Sequence, residues 1–266
     1  MDAIDQAPDG GIPDAGKPHS ARVWNYLLGG EDNTPADRAA GRAVLEHFPD
    51  FAAVARHQRL FLRRAVRFLA EEAGLRQFLD IGTGLPTADN THQVAQRVAP
   101  DSRIVYVDHD PLVLLHAERL LTSTPEGSCA YLDADVRDPE DILARAAETL
   151  DLTRPVGLML FGVMGQIPDE DDPWSLVRTL AGALPAGSHL ALTDGTDTGD
   201  ALNEAVAAYN GRSVHTYHLR SPERIAAFFD GFDLVPPGLV RSAEWRPDDA
   251  VPAAPAHALA AVARLR

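Results

Sequence analysis

FLDIGTG, at residues 78 to 84, is an apolar strand that stops at two glycines spaced one residue apart. Glycine lets the backbone turn tightly and approach a ligand without a Cβ in the way. A helix that follows such a turn presents its N-terminal amides at the same place. On its own, this stretch predicts a nucleotide-type binding loop, with Gly82, Thr83 and Gly84 at its centre.

Short apolar runs alternate with helical stretches from Gln77 onward. The runs predict strands at Phe78 to Ile81, Ile104 to Val107, Ala130 to Leu132, Val156 to Val163 and His189 to Thr193. Helices are predicted between them, at Thr91 to Val98, Pro111 to Leu121, Pro139 to Leu150 and Trp174 to Ala183. Strands that alternate with helices imply right-handed crossovers and a parallel sheet covered on both faces. In the tail, a helix at Pro222 to Phe229 and apolar runs at 232 to 235 and Ala256 to Leu265 predict two late strands, joined by a loop.

The segments before the first strand have a different texture. Residues 1 to 17 are acidic and rich in glycine and proline, which predicts a disordered leader rather than a secretory signal. Residues 18 to 74 are helical in pattern, with a helix start at Pro35 after Thr34 and a turn, LGGEDN, at 28 to 33. We therefore expect a leader, a helical segment over 18 to 74, and an α/β domain over 75 to 266.

Composition limits the partners. With 24 Lys and Arg against 39 Asp and Glu, the formal net charge is -15, which repels phosphate backbones and anionic lipid surfaces. The spacing of the arginines from Arg56 to Arg67 predicts the solvated stripe of an amphipathic helix. Cys129 is the only cysteine, which favours a reducing compartment, and no apolar run approaches the roughly 20 residues of a membrane span. We expect a cytoplasmic protein with neither nucleic-acid nor membrane partners.

Two residues around the glycine turn discriminate between cofactors. A dinucleotide fingerprint has a third glycine at position 87, where this chain has Thr87. Asp80 stands just before the turn and would repel a pyrophosphate. S-adenosyl-L-methionine carries an ammonium and a sulfonium and no phosphate, so the same carboxylate attracts it, by roughly 4 kcal/mol at about 4 Å and an effective dielectric of 20. An NAD(P)-dependent oxidoreductase remains an alternative on the same fold.

Acidic residues also follow the next two strands. Asp108 and His109 end the second strand, where an α/β cofactor domain holds ribose hydroxyls, and we assign Asp108 to that role. After the third strand, Asp135 is placed to accept from an adenine amino group while the Val136 amide donates to a ring nitrogen. Acids at the ends of three successive strands are stronger evidence than one glycine turn.

The chain resembles the actinobacterial S-adenosyl methyltransferase family that was long catalogued as a domain of unknown function. The matching stretches are SARVWNYLLGGEDNTPADR at 20 to 38, FLRRAVRFLAEEAGLRQFLDIGTGLPT at 61 to 87, VAQRVAPDSRIVYVDHDP at 94 to 111, DADVRDPE at 133 to 140, IPDEDDP at 167 to 173, and PGLV with WRPD near the end. The resemblance implies a Rossmann-like class I methyltransferase fold with a mostly parallel seven-stranded sheet, helices on both faces and an N-terminal helical cap over the cofactor. It implies cofactor binding by Asp80, Gly82, Gly84, Asp108 and Asp135, and it leaves the methyl acceptor undefined.

The cap suggests further contacts. Tyr26, Gly30 and Asn33, beside Asn25, can fold over the methionine end of the cofactor, and Arg59 and Arg63 can pair with its carboxylate. The acidic surface and the enclosing cap favour a small-molecule acceptor. The oligomeric state is left open.

The chain departs from the family pattern at two places. Met164 and Gly165 stand where the family usually shows leucine and histidine, and Asp194 stands where a histidine is frequent. If either histidine is a base in relatives, that role is vacant or transferred here, so no catalytic residue is assigned. Candidate bases are His92, His109, Asp194 and His215. A cofactor-binding regulator without methyl transfer is therefore the second hypothesis, and no metal site is expected from the acids at 169 to 172, 194 and 197.

Overall fold

The computed structural model describes residues 16–86, 89–110, 113, 116, 122–211, 213, 215–247 and 257–266. Three predictions lie largely outside these ranges: the leader up to residue 17, the helix over 111 to 121 and the part of the loop between the two late strands that covers 248 to 256. Among the described residues, no helix combines the length and apolar composition that crossing a membrane requires.

Three helices precede the sheet: α1 (Ser20–Leu27), α2 (Pro35–His47) and α3 (Phe51–Glu71). Helix α2 begins where the sequence predicts, at Pro35 after the N-cap Thr34. The backbone amide of Thr34 donates to Asp37 Oδ2 at 2.7 Å, and the amide of Asp37 donates to Thr34 Oγ1 at 3.4 Å. This reciprocal capping satisfies amides that have no partner within the helix.

The α/β part follows the predicted alternation. Five strands run parallel: β1 (Gln77–Ile81), β2 (Arg103–Asp108), β3 (Ser128–Asp133), β4 (Gly157–Phe161) and β5 (His189–Gly195). The helices are α4 (Thr91–Val98), α5 (Pro139–Ala146), α6 (Pro173–Gly182), α7 (Asp200–Asn210) and α8 (Pro222–Ala226). Short 3-10 turns lie at Met164–Gln166, Asp169–Asp171 and Ala227–Phe229.

The described sheet has eight strands rather than the predicted seven. Its order is β3-β2-β1-β4-β5, followed by β8 (Ala258–Arg264) and then β6 (Asp233–Leu234), while β7 (Val240–Arg241) also pairs with β8. The strand β8 pairs antiparallel with β5. Its other edge pairs with β6 and β7, which have two residues each. Both are antiparallel to β8, and the turn at Pro236 and Pro237 separates them. They are two pieces of one interrupted edge strand, which explains the difference in count.

Each face of the sheet has its own apolar core. On one face, α3 places Phe61, Ala65 and Leu69 against Phe78 of β1. On the other, Leu79, Leu158 and Leu190 pack with α5, α6 and the phenylalanines after α8. Side chains alternate along a strand, so a strand buried on both sides has consecutive apolar residues, as Leu158, Met159 and Leu160 of β4 show.

One expectation about α3 is wrong. Its arginines do not all form a solvated stripe, because Arg64 is buried and donates to the carbonyls of Trp245 (2.8 Å) and Ser242 (2.6 Å). Arg56 and Arg67 are exposed, whereas Arg59 lies mostly buried beside Asp80. The segment around Trp245 covers the outer side of α3 and supplies acceptors that the helix sequence alone does not reveal.

Candidate active site

The turn after β1 needs glycine at two positions for two reasons. Gly82 has φ of +74°, and a Cβ there would lie 2.5 Å from Cβ of Val163, so the close approach of the chain after β4 also excludes a side chain. Gly84 has φ of +64° and open space around it, so only its backbone conformation favours glycine. The amide of Gly82 donates to Val107 O at 2.9 Å and ties the turn to β2.

Asp108 joins the glycine turn to the end of β2. Its carboxylate accepts from the amide of Gly84 at 2.8 Å and from the amide of Asp110 at 3.1 Å. Burial raises the pKa of Asp108, and those two amides oppose the rise. A carboxylate can accept about four hydrogen bonds, so two amides leave capacity for a ligand hydroxyl.

Asp80 lies buried beneath the turn, with Arg59 close by. Its carboxylate accepts from Thr91 Oγ1 at 2.6 Å. Burial raises the pKa of Asp80 to about 6, although the Thr91 hydrogen bond and the charge of Arg59 both oppose the rise. Arg59 lines the same cavity and reaches the carbonyl of Asp89 at 3.3 Å. The site thus presents a carboxylate and a guanidinium together, which suits an amino acid group with both charges.

Asp135 is paired within its own loop. Arg137 contacts both of its carboxylate oxygens, with Nη2 at 2.7 Å from Oδ2 and Nε at 3.0 Å from Oδ1. Burial alone would raise the pKa of Asp135, but the hydrogen bonds from Arg137 outweigh it and lower the pKa. Val136 beside it is buried and lines the cavity.

These residues open into one cavity of about 450 Å³, within the range of about 300 to 1,000 Å³ that is typical of small-molecule sites. It lies at the carboxyl ends of the parallel strands, beneath α1, α3 and α7. Its lining contains all eight residues predicted at the three strand ends: Asp80, Gly82, Thr83, Gly84, Asp108, His109, Asp135 and Val136.

Tyr26, Gly30 and Asn33 are not among the described residues that line the cavity. Tyr26 packs on Gly41, where a Cβ would lie 2.4 Å from its ring. The side-chain Nδ2 of Asn33 donates to Asn25 Oδ1 at 2.9 Å and to Gly30 O at 2.7 Å. Asn25 does line the cavity, and the hydrogen bond from Asn33 holds its side chain in place. Their direct contact with a cofactor stays a prediction.

Asp194, which stands at one departure from the family pattern, is fully buried and three groups contact it. It accepts from the hydroxyl of Tyr217, the amide of Gly195 at 3.0 Å and the Arg220 guanidinium at 3.2 Å. Burial raises the pKa of Asp194 to about 6, and these contacts oppose the rise. Arg220 also forms an ion pair with Asp169, so one guanidinium contacts both Asp194 and Asp169. Tyr217 lines the cavity, whereas Asp194 is not among the described lining residues.

The histidines separate into two groups. His92 is buried and contacts the hydroxyl of Tyr106 at 2.8 Å through both its backbone amide and Nδ1, and it is not among the described lining residues. His109 and His215 do line the cavity, with ring centroids 5.9 Å apart. His19 joins them at 4.7 Å from His215, and its Nδ1 lies 3.1 Å from Asp110. This group stands at the end of β2, on the side of the predicted ribose site.

Sequence reasoning missed the wall that α7 supplies. Leu202, Ala205, Val206 and Tyr209 follow the spacing of one helical face, which is the signal that predicts this helix. Tyr217 comes from the loop after α7, in which no periodic pattern marks it. Gln58 of α3 and His257 before β8 also line the cavity.

The strand order, the glycine turn and the acids at three strand ends define a cofactor-binding domain of the class I methyltransferase type. A family model described as S-adenosyl methyltransferase matches residues 9–266, so the chain belongs to the S-adenosyl methyltransferase family and its cofactor is S-adenosyl-L-methionine. This confirms the family resemblance and the fold expected from the sequence.

Solved structures agree with this assignment. The chain is 43% identical to a DUF574 family protein from Streptomyces avermitilis, over 95% of this chain and 99% of that one, with a TM-score of 0.91. It is 40% identical to a protein from Thermobifida fusca, over 98% and 100%, with a TM-score of 0.90. A magnesium protoporphyrin IX methyltransferase from Synechocystis with bound S-adenosylmethionine shares the fold at 11% identity, over 92% and 90%, with a TM-score of 0.54. No curated protein matches significantly.

Proposed function

We propose that the chain holds S-adenosyl-L-methionine along the ends of β1, β2 and β3 and transfers its methyl group to a small molecule in the same cavity. The observation that supports this most strongly is the distribution of charge. Among the described lining residues, the charged side chains belong to these three strand ends and to Arg59 of α3, and are Arg59, Asp80, Asp108, Asp110, Asp135 and Arg137. The remainder of the lining is uncharged at neutral pH, apart from any protonation of its histidines.

Each part of the cofactor has a chemically matched residue. Asp80 suits the ammonium and Arg59 the carboxylate of the amino acid group, since opposite charges attract strongly at a buried site. Asp108 suits the ribose hydroxyls, because its carboxylate retains acceptor capacity beside the turn. Val136 offers an apolar contact to the adenine ring, and Asp135 an acceptor near it. The cofactor supplies an electrophilic methyl group on a sulfonium, and the protein must align the acceptor with it and take up a proton.

The bulk charge supports a small, non-polymeric acceptor. A net charge of -15 opposes a polyanion such as nucleic acid, and the single cysteine is consistent with a cytoplasmic location. The departures at Gly165 and Asp194 keep the regulator hypothesis open to experiment, since a cofactor pocket can persist without an acceptor site.

Two measurements test the function. Calorimetry with S-adenosylhomocysteine and with NAD should show binding of the first alone, and binding of NAD alone would refute the cofactor assignment. An acceptor screen with tritiated methyl donor should then release labelled product. Tight binding of S-adenosylhomocysteine with persistent silence across the screen would instead favour the regulator.

A further inference from the structure

The cavity divides along the sheet into two unlike halves. The half over β1, β2 and β3 carries the glycine turn and the acids. The opposite half lies beside the ends of β5 and β8, where Gly195 and Ala258 line it. We call this second region the acceptor half and define it by Phe51, Val54, Leu202, Val206, Tyr217 and Leu219.

The acceptor half is built as a packed apolar wall. Val54 of α3 and Leu202 and Val206 of α7 are buried and belong to one hydrophobic cluster, against which Phe51, Tyr217 and Leu219 pack. Helices α2 and α7 contact each other closely and close this side. A ligand here replaces water at an apolar surface, which favours binding of apolar groups.

No charged side chain lines the acceptor half within the described part of the chain. Polar groups near it include the phenols of Tyr209 and Tyr217 and the imidazole of His257. An ionised carboxylate or ammonium placed in such a site loses its water without gaining a partner, which weakens its binding. The wall therefore selects against charged acceptors.

Tyr217 offers the acceptor half a hydrogen-bond acceptor rather than a donor. Its hydroxyl hydrogen is donated to Asp194, so towards a ligand the phenolic oxygen can act only as an acceptor. The amide of Gly195 lies 3.2 Å from the same oxygen and helps to fix it. A group that approaches this oxygen must bring a hydrogen of its own, which an uncharged hydroxyl does.

We propose that the methyl acceptor is an uncharged, mainly apolar alcohol or phenol that lies in the acceptor half and donates its hydroxyl hydrogen to Oη of Tyr217. This inference rests on the proposed function. The acceptor oxygen forms a bond to the methyl carbon as the bond from that carbon to sulfur breaks, and the electron pair of the broken bond stays on sulfur. The acceptor's proton moves to Tyr217 while the Tyr217 proton moves to the carboxylate of Asp194.

The environment of the two residues suits this relay. With its pKa raised to about 6 by burial, Asp194 is mainly ionised at neutral pH yet more basic than an ordinary carboxylate. Burial and the neighbouring Asp194 raise the pKa of Tyr217 well above its usual value, so the phenol passes a proton on and does not persist as a phenolate. Arg220 holds the second oxygen of Asp194 and keeps it oriented.

Calorimetry on the protein saturated with S-adenosylhomocysteine tests the acceptor class. The probes are 2-naphthol, its charged analogue 6-hydroxy-2-naphthoate, and 2-methoxynaphthalene, which has no hydrogen to donate. We expect 2-naphthol to bind at least about tenfold more tightly than the carboxylate, which must desolvate without a partner. It should also bind about three- to tenfold more tightly than the methyl ether, the scale of one hydrogen bond.

Substitutions in α7 and at Tyr217 test where 2-naphthol binds. Val206→Phe fills the acceptor half and should weaken 2-naphthol binding by about tenfold or more, because overpacking a buried site is costly. Ala207→Phe adds the same ring on the exposed side of α7 and should leave binding within about twofold. Tyr217→Phe keeps the ring and should abolish the preference for 2-naphthol over its methyl ether.

Several results overturn the proposal. They are failure of 2-naphthol to bind, equal or tighter binding of the carboxylate, equal effects of the two phenylalanine variants, and a preference for the hydroxyl that survives Tyr217→Phe. S-adenosylhomocysteine binding is measured first on every variant. If the wild-type protein does not bind S-adenosylhomocysteine, the proposed function is contradicted. If it binds S-adenosylhomocysteine normally and any of the four results is observed, only the acceptor class is contradicted.

Discussion

The ring of Tyr217 occupies the space that a side chain at position 165 would need. A Cβ on Gly165 would lie 2.3 Å from Cζ of Tyr217 and 2.7 Å from Oδ1 of Asp194. The two departures from the family pattern, at Gly165 and Asp194, therefore meet at one tyrosine. We infer that Tyr217, in the position it occupies here, requires glycine at 165.

Gly165→Ala tests this relationship. The added methyl group must displace the Tyr217 ring, so we expect acceptor turnover to fall by about tenfold or more, with a stability cost of about 1 to 3 kcal/mol. The affinity for S-adenosylhomocysteine should stay within about twofold, because the glycine turn at Gly82 lies on another strand end. Gly182→Ala is the matched control, since a Cβ there meets nothing within 4 Å. Equal turnover in the two variants would contradict the inference.

Asp108→Ala tests the ribose assignment. Loss of charge-assisted hydrogen bonds to the cofactor, together with release of the Gly84 amide, should weaken S-adenosylhomocysteine binding by about 1 to 3 kcal/mol in calorimetry. Asp133→Ala is the control, because Asp133 pairs in register with Asp108 on the adjacent strand yet is exposed. If both variants bind like the wild type, Asp108 does not hold the ribose.

Much of this site follows from local sequence. The strand and the two glycines of FLDIGTG lie next to one another in the chain, so the turn and its ligand are predictable from a few residues. The acids Asp108 and Asp135 are predictable because parallel strands bring their carboxyl ends to one edge.

The parts that sequence reasoning missed depend on distant partners. Arg64 is buried because carbonyls near Trp245, from the far end of the chain, accept its hydrogens. Tyr217 is held in the site because Gly165, after β4, and Asp194, at the end of β5, lie against its side chain. No pattern within any one segment contains these contacts, and only the folded arrangement shows that Asp194 reaches the cavity through a phenol.

The pH dependence of turnover should report the Tyr217 relay. Asp194 faces Tyr217, Arg220 and the Gly195 amide, and its pKa is about 6. As pH falls through about 6, Asp194 becomes protonated and can no longer take up the Tyr217 proton, so kcat at saturating donor should fall. Tyr217→Phe should lower kcat by about 100-fold or more and remove this limb, while KM for the donor changes little. A variant that retains the limb would show that another group sets it.

Asp80→Asn should raise the stability of the unliganded protein and weaken cofactor binding. Burial raises the pKa of Asp80 from 3.8 to about 6, so the carboxyl holds its proton more tightly in the folded chain than in the unfolded one. The stability that this group contributes is fully present below about pH 4 and is lost as pH rises through about 6. Asparagine carries no charge and still accepts from Thr91, so above pH 7 the unliganded variant should be more stable than the wild type, by up to about 3 kcal/mol.

Urea unfolding of the unliganded proteins at pH 5 and pH 8 measures the Asp80 effect. The advantage of Asp80→Asn should be larger at pH 8, and the exposed Asp133→Asn should show no such change between the two pH values. S-adenosylhomocysteine should bind the Asp80→Asn protein more weakly, because the ammonium loses its counter-charge. A variant less stable than the wild type at pH 8 would mean that attraction between Asp80 and Arg59 outweighs the cost of burying the carboxylate.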